Sequence, residues 1–279
     1  MPVFLNRLDA PLWVFNFGIY DFLGVSLSAK RQLFYSNTAP LKFAYNCYMP
    51  SAPLSASPFL VLAMATLAIA VGAGFVGFVW YSTASPRQTT FAGVVVFVLM
   101  ILQLAVSSAG VLRQWDRRPP PLLVLVGAMI AMVVGLSRSK LGATLAERTS
   151  FAVLVGAQSF RLPLELTMHR AASEGVMPVQ MSYSGYNFDI LTGLSAVVMS
   201  ILLASGRAGR KAVRVWNLAG FCLLLNIVTI AVASLPLFRA FGDDRVNVWV
   251  ADPPFVWLPG ALVPAALLGH LLVWRKLRS

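Results

Sequence analysis

The stretch "PFLVLAMATLAIAVGAGFVGFVWY", Pro58–Tyr81, contains no charged residue. About 20 apolar residues cross the roughly 30 Å hydrocarbon core as a helix, so this run is long enough to span a bilayer. Similar blocks follow at Thr89–Leu112, Pro119–Leu136, Tyr186–Ala204, Val213–Leu235 and Phe255–Trp274. A further block, Ser150–Met168, has the length but carries Arg161 and Glu165. The residues are Leu-, Ala-, Val- and Gly-rich without strict alternation. A transmembrane barrel would instead show alternating segments of about 10 residues. The sequence therefore predicts an all-α, polytopic transmembrane helix bundle with about seven spans.

Composition agrees. The chain is 58% hydrophobic and only 11% charged, with a mean hydropathy of +0.75. Its net charge of +12 is not a sign of nucleic-acid binding, because most Lys and Arg fall at the ends of apolar blocks, where membrane topology puts them. Arg207, Arg210, Lys211 and Arg214 separate two blocks, and Arg275, Lys276 and Arg278 close the chain. Asp243, Asp244 and Asp252 lie in the intervening loop. The charge pattern predicts a cytoplasmic C-terminus and an external acidic loop. Arg113, Arg117 and Arg118 fit poorly, since seven spans would put them outside with the acids. Trp80, Trp115, Trp216, Trp249, Trp257 and Trp274 lie near block ends and are expected to form an aromatic belt. No lysine lies inside the last block, which argues against a retinal-linked protein.

Residues 1–57 differ in composition. They are expected to form an N-terminal extension, interfacial or poorly structured, ahead of a transmembrane domain at 58–279. Leu12–Ser28 is aromatic and apolar but includes Asp21, which suits an interfacial helix and not a signal peptide. An alternative places the natural start at Met49. Cys47 and Cys222 have no metal-ligand spacing. "GAGFVG", Gly72–Gly77, spells a dinucleotide fingerprint but lies inside an apolar run, without the strand-then-helix context that fingerprint needs. Close packing between helices is the expected use of these glycines.

The unusual polar content is in Ser159–Ile190. Arg161, Glu165 and His169 stand four apart and are expected to form one helical stripe. Gln158 lies beside it, and Pro163 is expected to interrupt the helix. Asn187 and Asp189 follow where the next apolar block begins. An intramembrane charge is costly and faces a bundle interior or a cavity, so Arg161 is expected to be held by Glu165 or Asp189. Together Arg161, Glu165, His169, Asn187 and Asp189 are read as one ligand-binding pocket on the outer side. The intervening loop is expected to contribute Glu174 and a mobile Gly175, with Met177 and Met181 as adaptable apolar cover. Such a pocket is expected to bind a small anionic ligand at Arg161, relay protons through the carboxylates or hold a cation, with transport or small-ligand binding as the function. One alternative is an intramembrane metal-dependent hydrolase using His169 with Glu165 or Asp189; HExxH is absent, and no resident metal or cofactor is assigned. Another is a structural subunit, with the stripe packed on a partner membrane protein. His270 is read as an interface residue. Gln103, Ser107, Ser108, Asn217 and Asn226 are expected to bond to neighbouring helices.

The run "FRLPLELTMHRAASEGVMPVQMSYSGYNFDILTG", Phe160–Gly193, resembles the core of an uncharacterised family of bacterial multi-span membrane proteins. The resemblance covers about Pro58 to the C-terminus. It implies a bacterial inner-membrane location and no particular reaction.

Overall fold

Serine followed by proline opens the first two helices. The computed structural model describes residues 56–279. Helix α1 (Pro58–Thr83) starts where Ser57 Oγ accepts from the Leu60 amide at 3.2 Å. Helix α2 (Pro86–Ser108) starts in the same way at Ser85. A serine cap satisfies an amide that the helix leaves free, and proline at the first position has no amide to satisfy. Helix α3 (Pro121–Arg138) turns sharply into the short α4 (Lys140–Arg148). Gly142 is required at this corner, since a β-carbon would lie 2.7 Å from the Ser137 carbonyl oxygen.

Helix α5 (Phe151–Gly156) leads through a 3-10 turn at Ala157–Phe160 into α6 (Arg161–Ser173). After a non-helical return come α7 (Ile190–Ala204) and α8 (Arg210–Ala233), then a π-helical turn at Leu258–Leu262 and α9 (Val263–Arg278). The described residues form no strand.

Five helical segments are long and apolar enough to cross a membrane: α1, α2, α3, α8 and Leu258–Arg278. Helices α1 and α2 bury only a few side chains each, such as Leu60, Met64 and Ala68 in α1. Phe59, Leu62, Phe91 and Phe97 point outward and are exposed. A helix that is apolar on every side suits hydrocarbon as its solvent.

The two ends of the bundle differ in charge. Ser82 meets Thr149 (Oγ–Oγ1 3.0 Å), Arg275 donates to the Ser137 carbonyl at 2.6 Å, and Arg210 donates to the Leu277 carbonyl at 3.0 Å. These contacts gather Arg138, Lys140, Arg148, Arg207–Arg214 and the C-terminal arginines at one end. At the other, Ser57 meets Glu174 and Ser107 donates to the Ala251 carbonyl at 2.7 Å. Arg113, Arg117 and Arg118 lie at this mixed end. Arg113 makes two 2.6 Å bonds to Asp252, which offsets its charge.

Other expectations need correction. The block at Ser150–Met168 is not a uniform α-helix. The backbone stays right-handed throughout, but the regular α-helical bonding breaks at Ala157–Phe160, where the helix tightens into a 3-10 turn ahead of Pro163, the third residue of α6. The block at Tyr186–Ala204 becomes helical only at Ile190. Of the six tryptophans expected to form an aromatic belt, Trp115, Trp216, Trp249 and Trp257 are buried, Trp274 is half-buried and Trp80 is exposed. Trp257 Nε1 donates to the Met100 carbonyl and Trp216 Nε1 to Ser195, so these rings tie helices together. Of the fingerprint glycines, Gly72 packs closely on Val96, but a β-carbon on Gly74 or Gly77 would meet nothing within 4 Å. The readings of residues 1–55, including Cys47, Leu12–Ser28 and a start at Met49, lie outside the described residues.

Candidate functional site

Arg161 is the first residue of α6, immediately after the break, and is 1% exposed. Its Nε donates to Asp189 Oδ2 at 2.6 Å, and its Nη2 donates to Asp189 Oδ1. Two parallel bonds between a guanidinium and a carboxylate fix orientation as well as charge. Asp189 precedes α7, so the pair joins the starts of two helices inside the bundle. Thr192 Oγ1 also donates to Asp189 Oδ1, at 3.1 Å. Gly193 allows this approach: a β-carbon there would lie 2.9 Å from the Arg161 carbonyl carbon.

The third arm of Arg161 reaches His270, with Nη1 2.9 Å from Nε2. Arginine can only donate, so His270 Nε2 accepts and its proton sits on Nδ1. That proton is donated to Asn217 Oδ1 at 2.8 Å, and Asn217 Nδ2 donates to the His270 carbonyl at 3.2 Å. The chain Asp189–Arg161–His270–Asn217 thus links α6, α7, α8 and α9 through buried polar groups.

Glu165 lies one turn beyond Arg161 and is 1% exposed. Asn187 Nδ2 donates to Glu165 Oε2 at 2.7 Å and to the Met181 carbonyl at 3.0 Å. Asn187 Oδ1 accepts from the Asp189 amide at 3.0 Å. Asn187 therefore aligns both carboxylates while satisfying the non-helical backbone between α6 and α7. Such backbone is tolerated within a membrane only where protein covers it.

Arg161, Glu165 and Asp189 line a cavity of about 90 Å³ between α3, α6, α8 and the π-helical turn. The remaining lining is apolar apart from Asn247, near the mixed end. Asn247 Nδ2 donates to the Ala231 carbonyl, but its buried Oδ1 has no partner. Glu165 and the unpartnered Asn247 Oδ1 are thus two acceptors with spare capacity at this cavity.

The structure gathers four of the five expected residues and separates the fifth. His169 is half-buried, with Nδ1 3.0 Å from Ser182 Oγ and its ring stacked on Tyr183 at 4.3 Å. Eight residues of helix turn a side chain by about 80°, which carries His169 off the face of Arg161. Asn187 supports the cavity wall without lining it. The cavity's lining is mostly apolar, so it is not the expected polar pocket. Met177 and Met181 are buried core residues, and Glu174 is tied to Ser57 and Arg170. No three His, Cys, Asp or Glu side chains among the described residues are placed to share a metal ion.

Sequence reasoning missed His270 and Asn217 as partners of Arg161. A lone imidazole and a lone amide inside apolar runs were the only signals. Gln103 to the Gly260 carbonyl and Asn217 to His270 bond to a neighbouring helical segment as expected, whereas Ser107 reaches Ala251 and Asn226 reaches Tyr186 in connecting segments. No family model, curated protein or solved structure matches the chain.

Proposed function

We propose that this membrane protein crosses the bilayer seven times and binds a small, hydrogen-bond-donating or cationic ligand at Glu165, as part of a transport role. The composite segment Phe151–Ser173 and α7 are the two crossings beyond the five long apolar helices. The concentration of Lys and Arg at one end supports a cytoplasmic C-terminus. Asp189 neutralises Arg161, which removes the carrier of the expected anionic site. What carries the reading is Glu165, a buried carboxyl beside an apolar cavity with no cation of its own. The 3-10 turn beside a buried charge cluster supports a functional role, because a mid-helix 3-10 stretch often marks a hinge.

A cavity of about 90 Å³ is smaller than the roughly 150 Å³ engineered cavity that holds benzene. It suits a headgroup or a short alkyl segment. The probe is therefore n-butylammonium, of which the ammonium and first carbons would enter the cavity, with n-butyrate as its anionic counterpart, added to purified protein in nanodiscs. A ligand bound only by the folded state raises the melting temperature. The ammonium should raise it, the carboxylate should not, and Glu165→Gln should abolish the shift. Equal shifts from both probes, or a shift retained in Glu165→Gln, would refute the site.

A second reading treats the polar chain as a lock between helices. The full complement of partners around Arg161 favours it, and it predicts that neither probe binds.

A further inference from the structure

A larger crevice lies between α1, the Ala157–Phe160 turn and α9. Its volume is about 320 Å³, at the lower bound of ordinary ligand pockets, roughly 300–1,000 Å³. Phe75, Phe78, Phe160 and Leu268 contribute to its walls, and Gln158 is the one lining residue with a polar side chain. Three small residues on its lining, Ala70, Gly74 and Ala157, are exposed, so the crevice opens to the surface that faces lipid.

Gln158 is 2% exposed. Its Nε2 donates to the Ala266 carbonyl at 3.3 Å, which fixes which end of the amide faces α9. Gly269 makes room for that amide, since a β-carbon would overlap Nε2. The other end, Oε1, is buried and has no hydrogen-bond partner. An unmet acceptor in hydrocarbon is costly. Water is a poor remedy here, because a buried water needs two to four polar partners, and the other lining side chains offer none. A donor attached to an apolar body satisfies both the amide and the walls.

We infer that this crevice binds a lipid-like alcohol, one hydroxyl on a long apolar body, with the hydroxyl donating to Gln158 Oε1. The site is separate from the Glu165 cavity and independent of its proposed role. Gln158 and Ala157 belong to the turn that precedes Arg161, so an occupant would rest directly on the break in the helix.

The test uses the full chain in phosphatidylcholine nanodiscs and a long-chain alcohol carrying a mid-chain diazirine. Cross-links are mapped by mass spectrometry and compared with those from the methyl ether, which lacks the donor. The alcohol should label peptides bearing Phe75, Phe78 or Phe160, and the ether should label them about fivefold less, the factor expected for one hydrogen bond. Gln158→Leu should erase that difference. Gly74→Leu, at a position where a β-carbon meets nothing within 4 Å, should block labelling while leaving the fold intact. n-Butylammonium should not compete. Equal labelling by alcohol and ether, no labelling, or labelling unchanged in Gly74→Leu would overturn the proposal, even if Gln158→Leu fails to fold.

Discussion

His270 and Arg161, 109 residues apart, meet at 2.9 Å with the imidazole as acceptor. Only a neutral ring with its proton on Nδ1 meets this requirement and also donates to Asn217. His270→Leu should therefore leave a guanidinium nitrogen unpaired and cost about 1–3 kcal/mol of stability. His270→Lys should cost more, because it adds a cation beside Arg161. Unfolding in mixed micelles checks both. A His270→Leu protein as stable as the parent would contradict the assignment.

The Arg161–Asp189 pair gives a double-mutant test. Asp189→Leu leaves a buried guanidinium without its carboxylate and should cost about 3–5 kcal/mol. Arg161→Leu combined with Asp189→Leu should recover most of that loss, since replacing both charges with apolar groups is often neutral. The same unfolding measurement applies. A double variant less stable than both single ones would count against the pairing.

Gly193 tests whether the break in the helix needs α7 close by. A β-carbon there would press on backbone atoms of Arg161 and Leu162, which cannot swing away as a flexible side chain would. Gly193→Ala should destabilise the protein by about 1–3 kcal/mol. Gly127→Ala should be tolerated, because a β-carbon at Gly127 meets nothing within 4 Å. Equal melting temperatures for the two variants would argue against the close approach.

Much of this architecture was legible because membrane crossing is a local property. Pro58–Tyr81 reveals itself by length and lack of charge, without reference to any partner. The need of Arg161 for a carboxylate was legible for the same reason, since hydrocarbon cannot solvate it. Which residues completed the cluster was not legible. His270 and Asn217 reach Arg161 only through the packing of α8 and α9, and no spacing encodes that. The break at Ala157–Phe160 carries no proline, while Pro163 drew attention to a helix start. The burial of four of the six tryptophans was not legible, because position near a block end does not say which way a ring points.

At the mixed end, Glu174 accepts from the Ser57 amide at 2.9 Å, from Ser57 Oγ at 2.7 Å and from Arg170 at 2.6 Å. These donors hold its carboxyl below the usual carboxylate range, with the Ser57 amide as the largest cause. A depressed folded value means this tether stabilises above the unfolded pKa, about 4.3, and fails as pH falls through the folded one. The protection of the Ser57 amide, measured against its intrinsic exchange rate at each pH, should therefore fall in acid below that value. Glu174→Gln should show lower protection at neutral pH and lose this acid step. Protection in the parent that stays constant through the acid range would contradict the tether.

The chain has only three glutamates, Glu147, Glu165 and Glu174, so carboxyl NMR reads the central claim directly. Protein labelled with 13C at the glutamate side-chain carboxyl, in nanodiscs, should give three assignable resonances, with Glu165 identified by its loss in Glu165→Gln. The account predicts that n-butylammonium moves the Glu165 resonance in a saturable manner and that n-butyrate leaves it in place. A Glu165 resonance unmoved by the ammonium, with changes confined to Glu147 and Glu174, would contradict the account.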